Sequence, residues 1–353
     1  MTALLAQDWP YAYGGPSGQG DIKTEPDDFV VEEMLSFETD GSGEHVFLYI
    51  EKSGENTEYI ARQLARHAGV RQRDIGYAGL KDRHGRTRQW FSIWLPGKVD
   101  PDWSILESDH LKILQVSRHA RKLKRGVLSG NRFALRIRNW QGDRELTEQQ
   151  LQHIKIQGFP NYFGEQRFGH QGRNIDKALD MFAGTRVKPE LRSIYLSAVR
   201  AYLFNLILAE RVTQHSWIQA LPGDVFKLDQ TNSHFMADSI DQTLLERLHS
   251  GDIHPTGALW GRGENPARHE TQVLELQIVV QHSNLADGLL KAGLEHDRRT
   301  LRVKPRDLVW QFTAAHDLQL SFTLPAGSYA TALLRELVVT TTSKPEAQYN
   351  CVI

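Results

Sequence analysis

The chain has 353 residues, a length that suits two domains. Hydrophobic residues make up 40% and charged residues 24%, which is typical of a folded globular protein and excludes disordered and fibrous classes. The formal net charge of -1 argues against a protein whose whole surface is basic for nucleic-acid binding.

The cysteine content and the apolar runs indicate in which cellular compartment the protein is expected. The single cysteine, Cys351, rules out an intramolecular disulfide and favours a reducing compartment. The first ten residues lack the basic start and the apolar core of a secretory signal. The longest apolar run, Tyr202–Ala209, is too short to span a bilayer. We therefore expect a soluble cytoplasmic protein that does not enter a membrane.

Strands dominate the first part of the chain. Val46–Glu51 and Leu111–Val116 have the length and composition of short strands. Asn56 is suited to cap a helix that interrupts them, and Gly69 is suited to end it. We expect one helix among these strands.

A further strand, Asn131–Arg138, alternates cleanly between apolar and basic side chains. By this parity Asn131 and Phe133 lie on the same face. The ring of Phe133 is suited either to stack on a ligand at the edge of the core or to fill the core. The pattern does not choose between these.

Helices dominate the middle of the chain. A capping box at Leu146–Leu151 predicts a helix that Gly158 ends. Asn265 is suited to cap the last helix of the group. The other helices are predicted at Ile175–Phe182, Leu196–Val212, Leu244–His249 and Pro266–Gln281.

The end of the chain returns to strands. These are predicted at Leu301–Val303, Leu308–Phe312 and Leu318–Leu324, followed by a helix that Ser328 caps and that runs through Val338. Strands, then helices, then strands again indicate an α+β fold in which one domain is inserted into another.

One segment, Gly76–Trp90, combines a small-residue run with a lone carboxylate, Asp82, on a loop between two strands. Nearby cations favour the charged form of an acid, so we expect Asp82 to be ionised and suited to act as a nucleophile on a polyanionic substrate. A solvated turn with exposed ion pairs explains the same residues. The cations near it in sequence are Lys81, Arg83, His84, Arg86 and Arg88.

Four segments, in the same order along the chain, resemble the signatures of the TruD family of transfer-RNA pseudouridine synthases. They are Lys23–Glu33, Gly76–Ile93, Asn161–Gly169 and Leu324–Thr331. The resemblance implies a pseudouridine-synthase domain with a mixed, mostly antiparallel sheet, formed by residues 1–157 and 304–353. A helix-rich TRUD domain, residues 158–303, would be inserted into it, with a cleft between the two.

The resemblance also implies the reaction, the isomerisation of uridine to pseudouridine in tRNA, at uridine 13 of the D-arm, with Asp82 as nucleophile. Such a reaction needs neither a redox partner nor a group donor, so no cofactor is expected. The expected partner is the tRNA alone, and the protein is expected to be a monomer. Addition to the uracil ring and attack on the ribose carbon both remain open for Asp82.

Five further site residues follow from the same resemblance. Phe29, Asn131 and Tyr329 match substrate-contact positions, where an aromatic ring stacks on a flipped base and an amide pairs with uracil. Tyr329 departs from the phenylalanine that the family motif often has there. Lys23 matches a lysine that pairs with the catalytic carboxylate, and Phe133 stands where many other pseudouridine synthases have tyrosine.

Two other functions remain open on the sequence. A non-catalytic RNA-binding protein would use the basic loop, and the run Arg118–Arg125, only to hold phosphates, although such runs are often solvated faces. Arg167 is similarly suited to contact a phosphate or to pack near a hinge. Metal-dependent phosphoryl transfer is the third possibility, although no HxxxH motif or cysteine pair is present to hold a metal. Its carboxylates would be Asp27, Asp28, Glu32, Glu33 and Asp82.

Overall fold

A computed structural model describes residues 9–83, 85–237 and 239–342. His84 and Cys351, which the sequence analysis names, lie outside the described residues. The predicted α+β fold with a mixed, mostly antiparallel sheet is confirmed.

The secondary structure follows the order expected from the sequence. The strands are β1 (Gly18–Ile22), β2 (Phe29–Leu35), β3 (His45–Lys52), β4 (Ile75–Tyr77), β5 (Arg86–Trp94), β6 (Leu111–His119), β7 (Leu128–Gly142), β8 (Phe159–Pro160), β9 (Val225–Leu228), β10 (His234–Met236), β11 (Ile253–Leu259), β12 (Asp297–Thr300), β13 (Arg302–Val303), β14 (Arg306–Phe312), β15 (Leu318–Leu324) and β16 (Val338–Thr342). The helices are α1 (Thr57–His67), α2 (Arg144–Gln157), α3 (Arg173–Phe182), α4 (Pro189–Thr213), α5 (Gln242–Ser250), α6 (His269–Gln281), α7 (Ser283–Ala292) and α8 (Ala330–Leu334).

These elements group into two compact units. The sheet unit comprises Gly18–Gly142, Pro305–Gly327 and residues 339–342, and the helical unit comprises residues 9–17, Asp143–Lys304 and Ser328–Val338. The domain prediction, with boundaries at 157/158 and 303/304, instead assigns α2 and both outer segments to the catalytic domain. Helix α2 groups with the helical unit because Gln150 donates hydrogen bonds to the carbonyls of Tyr13 and Gly15.

One large sheet forms the framework of the sheet unit. Its strands lie in the order β14-β15-β7-β2-β5-β3-β6, while β1 pairs with β7 and β16, and β4 pairs with β5. Strands β2 and β5 are parallel, and the other neighbours along this path are antiparallel. Because β5 pairs with β2 near its start and with β4 further along, the loop from β4 to β5 begins and ends at the middle of the sheet.

Strand β3 shows why this sheet is stable. Its residues are buried on both faces, and the face of Val46, Leu48 and Ile50 packs against α1. The opposite face places Phe47 against Trp90. A strand covered on both faces explains why the centre of β3, Val46–Ile50, is continuously apolar rather than alternating.

Helix α4 is the central helix of the helical unit. It is 25 residues long, considerably longer than the apolar run Tyr202–Ala209. The expectation that the chain does not enter a membrane rested on the short length of that run. By length and composition alone the helix could cross a membrane, but 67% of its most apolar window is buried inside the protein. That burial is typical of the core helix of a globular unit.

Several helix boundaries differ from the sequence predictions, and at the starts of α2 and α6 the difference comes with a specific side-chain hydrogen bond. Helix α2 begins earlier than its predicted capping box, since Asp143 accepts a hydrogen bond from the backbone N–H of Leu146. Helix α6 begins after Arg268, while the side chain of Asn265 bonds to Glu275 instead of capping the helix. Helix α8 has only five residues, and β16 begins at the residue where the predicted helix would have ended.

Candidate active site

The Asp82 loop, Ala78–Arg83, carries the candidate nucleophile between β4 and β5 of the sheet unit. The Nζ atom of Lys23 lies 2.5 Å from Oδ2 of Asp82. Both side chains are mostly buried, with 12% and 17% of their surfaces exposed. A cation this close favours the carboxylate form of Asp82 and holds it in one orientation.

The backbone of Lys23 has an unusual conformation. Its φ angle is +56°, in the left-handed region that residues other than glycine rarely occupy. Such a conformation costs about 1 kcal/mol or more and persists where the surrounding structure requires it. Here it lies directly after β1, and the side chain that it carries reaches Asp82.

An aromatic row lies beside this ion pair. The Nζ atom of Lys23 is 4.4 Å from the ring centroid of Phe29. Phe29 meets Phe133 edge to face at 6.4 Å, and Phe133 stacks on Phe322 at 5.4 Å. Phe29 and Phe133 are each only 6% exposed. The row is therefore a packed wall beside Asp82, and stacking of either ring on a base remains a prediction.

Asn131 lies on the same face of the sheet as Phe133, as its parity predicts. It is directly opposite Glu33 in the β2–β7 pairing, and Glu33 forms an ion pair of 2.8 Å with Lys81, the residue before Asp82. The Oδ1 atom of Asn131 is buried and has no hydrogen-bond partner among the residues that the structure describes. A buried acceptor without a partner costs free energy, and a bound donor would relieve that cost.

Two of the cations next to Asp82 in the sequence bind other groups. Lys81 pairs with Glu33, and Arg83 donates to the carbonyl of Gly54 at 2.8 Å. The ion pair of Asp82 within the described residues is with Lys23, 59 residues earlier in the chain. The expectation that neighbouring cations keep Asp82 ionised stays a prediction, and the distant Lys23 adds a cation to it.

Glu51 bridges the two arginines at the start of β5. It accepts hydrogen bonds from Arg86 at 2.7 Å and Arg88 at 2.8 Å. Burial alone would raise the pKa of Glu51, but the hydrogen bonds and charges of Arg88 and Arg86 outweigh it and lower that pKa. The two arginines of this part of the basic run are consequently bound by carboxylates of the protein itself.

A buried network that the sequence analysis missed holds the Asp82 loop. The hydroxyl of Thr57 accepts a hydrogen bond from the backbone N–H of Lys81 at 3.1 Å and donates to Gln89 at 3.0 Å. Gln89 in turn donates to the carbonyl of Gly79 at 2.6 Å. The signal in the sequence was a glutamine directly before the apolar run that begins at Trp90, since a polar side chain buried there requires hydrogen-bond partners.

The carboxylates proposed for metal-dependent phosphoryl transfer each pair with a cation. Across residues 9–83, 85–237 and 239–342, no three His, Cys, Asp or Glu side chains are grouped to hold a metal ion. Paired carboxylates are poor ligands because a metal would have to displace their cations. The pairs are Arg86–Asp27, Arg138–Asp28, Arg88–Glu32, Lys81–Glu33 and Lys23–Asp82.

Comparison with known proteins places these residues in a family. The model of the family described as tRNA pseudouridine synthase D (TruD) matches residues 9–179 and 171–337 of the chain. The chain belongs to the TruD family. The four signature segments lie inside the matched ranges, and they include Lys23, Asp82 and Tyr329.

Relatives of similar length carry the TruD name. A tRNA pseudouridine synthase D of Nitrosococcus oceani is 50% identical over 348 residues, covering 96% of this chain and 97% of the relative. One from Methylococcus capsulatus is 46% identical over 333 residues, covering 94% of each chain. A TruD crystal structure from Methanosarcina mazei has a TM-score of 0.68 at 22% identity, over 93% of this chain and 95% of that one, and supports the fold.

Tyr329, in the fourth TruD signature, belongs to the helical unit, whereas the other five predicted site residues belong to the sheet unit. Its hydroxyl accepts a hydrogen bond of 2.9 Å from Arg167, and its ring contacts Phe163 at 6.2 Å. The guanidinium of Arg299 lies over the ring of Phe163, 4.0 Å from its centroid. Burial lowers the pKa of Arg299 to about 10, so its guanidinium is still charged at neutral pH. The third and fourth signatures therefore meet in this cationic, aromatic cluster.

Proposed function

We propose that this protein isomerises uridine to pseudouridine in tRNA, at uridine 13 of the D-arm, with Asp82 as nucleophile. Membership of the TruD family supports the reaction and the class of substrate. The observation that carries the role of Asp82 is its 2.5 Å pairing with Lys23, on a loop that buried hydrogen bonds hold in place.

The reaction is an internal rearrangement, so its atoms balance without a co-reactant. The N1–C1′ bond of uridine breaks and a C5–C1′ bond forms, while C5 releases a proton and N1 gains one. A nucleophilic carboxylate lets the base detach and rotate through a covalent or stabilised intermediate, whether it bonds to the ring or to C1′. The base must first leave its stack to reach Asp82.

Asn131 has the right chemistry to recognise the flipped base. Uracil presents one N–H donor between two carbonyl acceptors, and an asparagine amide offers one acceptor and two donor hydrogens. The buried Oδ1 atom of Asn131 has no partner among the described residues and is suited to accept the N3–H of uracil. Cytosine has no hydrogen on N3 to donate to Oδ1 of Asn131. This difference gives a reason why the site would prefer uridine to cytidine.

Pseudouridine mapping tests the proposal. Unmodified tRNA is incubated with wild-type protein or with Asp82→Asn, and pseudouridine is located by carbodiimide-dependent reverse-transcription stops. We expect one stop at uridine 13 with wild-type protein and none with Asp82→Asn, because the amide keeps the shape but loses the nucleophile. RNA affinity of the variant should stay within a few fold of wild type, since the change removes no cation that could bind a phosphate.

Asp27→Asn is the matched control. Asp27 is an exposed carboxylate of the same unit and also pairs with a cation, Arg86. It should retain full activity. Pseudouridine formation by Asp82→Asn would remove Asp82 as the nucleophile, and a stop at another position, or one that persists in tRNA with cytidine at position 13, would overturn the assignment of the site. The absence of pseudouridine from every protein would favour the RNA-binding alternative.

A further inference from the structure

A basic groove lies on the sheet unit beside β4. It has a volume of about 550 Å³, within the range of pockets that hold small ligands. Cations enter it from two separate segments, Arg73 from the turn before β4 and three residues from the loop after β6. The lining residues are Gln72, Arg73, Ile75, Gly76, Tyr77, Lys122, Leu123, Lys124 and Arg125, and none of them is acidic.

Within the described part of the chain, the groove cations differ from many arginines of the sheet unit because no carboxylate forms an ion pair with them. Arg86, Arg88, Arg118, Arg136 and Arg138 each pair with an aspartate or a glutamate. Among the described residues, no ion pair joins the four groove cations to an acid, so they leave an excess of positive charge in the groove.

The basic run of residues 118–125 contains cations of both kinds, those that pair with carboxylates and those that line the groove. At its start, Arg118 pairs with Asp100, and His119 lies 2.7 Å from Asp40. At its end, the exposed Lys124 and Arg125 line the groove. The sequence alone could not separate these two halves, because the carboxylates that neutralise the first half come from distant loops.

Packing holds the groove in shape. Leu123 is only 2% exposed and packs with Phe47, Ala78 and Trp90, while its backbone N–H donates to Ser92 at 3.0 Å. The loop is so close to β4 that a Cβ on Gly76 would lie 2.4 Å from the carbonyl of Leu123. Because Leu123 is anchored, the backbone that carries the cations on either side of it is held at the groove, which lowers the entropy lost when a ligand binds.

The groove is also directly connected to the Asp82 loop. Its lining includes Tyr77, the last residue of β4, and Ala78 begins the loop. Asp82 is about five residues beyond Tyr77, which limits the distance between their Cα atoms to about 18 Å. Phosphates along one nucleic-acid strand are only about 3.4 Å apart in axial rise, so a strand with one base at Asp82 can carry phosphates into the groove.

We propose that this groove binds backbone phosphates of the tRNA a few nucleotides from the target uridine. The proposal rests on the proposed function, since it assigns a second contact region to the same substrate. Arg73, Lys122, Lys124 and Arg125 supply the charge, and the half-buried Tyr77 adds a hydroxyl donor. Contacts of this kind position the strand and do not read its sequence.

The double variant Lys124→Gln/Arg125→Gln tests the groove. Both side chains are exposed, so the fold is not at risk. We expect the affinity for tRNA to fall roughly tenfold at moderate salt, and the slope of log K against log salt to decrease by about 2, because each removed cation leaves one phosphate without its partner. The KM for tRNA should rise by a similar factor, while kcat stays at the wild-type value.

The matched control is Lys98→Gln/Lys112→Gln. These are two exposed lysines of the same unit that do not line the groove, and the control changes net charge by the same amount. Equal affinity and salt slope in the two double variants would overturn the proposal, as would a fall in kcat with an unchanged KM. An acidic protein as the true occupant would also leave tRNA affinity unaltered. Direct tRNA binding tests the groove even if the wild-type protein forms no pseudouridine. A failure of the groove proposal can therefore be distinguished from a failure of the proposed function.

Discussion

The guanidinium of Arg167 donates a hydrogen bond of 2.9 Å to the hydroxyl of Tyr329. Arg167 also donates to Ser197 at 3.0 Å, and its guanidinium lies 5.6 Å from the ring centroid of Phe163. The phenol oxygen at position 329 therefore fixes the arginine of the third family signature. This gives a structural role to the hydroxyl that distinguishes Tyr329 from the phenylalanine frequent in the family.

Tyr329→Phe should separate the ring of this residue from its hydroxyl. The ring contact with Phe163 remains, so we expect catalysis to stay within a few fold of wild type. Removing the hydrogen bond to a charged donor should lower the free energy of unfolding by about 1 kcal/mol. Urea denaturation and single-turnover kinetics measure the two effects. A large loss of activity with unchanged stability would mean that the hydroxyl acts on the substrate.

Lys23→Met should impair catalysis without impairing RNA binding. Without Lys23, the Asp82 carboxylate loses an orienting, charge-assisted hydrogen bond, so kcat should fall at least tenfold. RNA affinity should stay within a few fold of wild type, which separates a defect in catalysis from a defect in binding. Lys23→Arg restores the charge and should recover part of the rate. A wild-type kcat in Lys23→Met would contradict the positioning role.

Thr57→Val should loosen the Asp82 loop from a position outside it. The change removes an acceptor for the backbone of Lys81 and a donor to Gln89 while keeping the side-chain volume. We expect a lower kcat, a nearly unchanged KM for tRNA, and a loss of about 1–3 kcal/mol in the free energy of unfolding, because buried polar groups lose their partners.

Thr87→Val is the control for this change. Thr87 is fully buried in the same sheet, and its hydroxyl makes no hydrogen bond with any described residue. Its replacement should leave kcat unaltered and should not destabilise the protein. If both valine variants lose activity equally, the network through Thr57 does not position the loop.

The sequence correctly predicted secondary-structure elements whose patterns depend only on residues close together in the chain. The alternation of Asn131–Arg138 indicated a strand whose parity the pairing of β7 with β2 and β15 confirms. Asn56 correctly marks the start of α1, although its side chain makes no capping hydrogen bond. In these cases the period of the apolar residues follows directly from the geometry of the element.

Features that depend on distant contacts could not be predicted in this way. The helix predicted from Ser328 to Val338 is short because Glu336, just beyond the end of α8, is buried and accepts a hydrogen bond of 2.8 Å from the backbone N–H of Ala12. The pairing of Lys23 with Asp82 joins residues far apart in the chain. Only the sheet topology brings such groups together, and the family resemblance, not the local pattern, pointed to the lysine.

His296 should make the helical unit sensitive to mild acid. Its ring meets Trp260 edge to face at 6.1 Å, and burial, together with the charge of Arg298, lowers the pKa of His296 below its ordinary value. A folded-state pKa below the unfolded value means that the contribution to stability is present above pH about 6.5 and is lost as the pH falls through the folded-state pKa. The unfolded chain then binds the proton more readily than the folded one.

His296→Phe tests this by removing the titrating group while keeping a ring against Trp260. Urea midpoints of wild type and variant, compared at pH 7.5 and pH 5.5, should show a smaller acid-induced decrease for the variant. The difference should be below about 1.4 kcal/mol per pH unit, the limit for one proton, because the partly solvated ring is screened. The exposed His110→Phe should keep the wild-type pH dependence. An unchanged acid response in His296→Phe would mean that other buried histidines, such as His45 and His282, account for it, since burial lowers their pKa values as well.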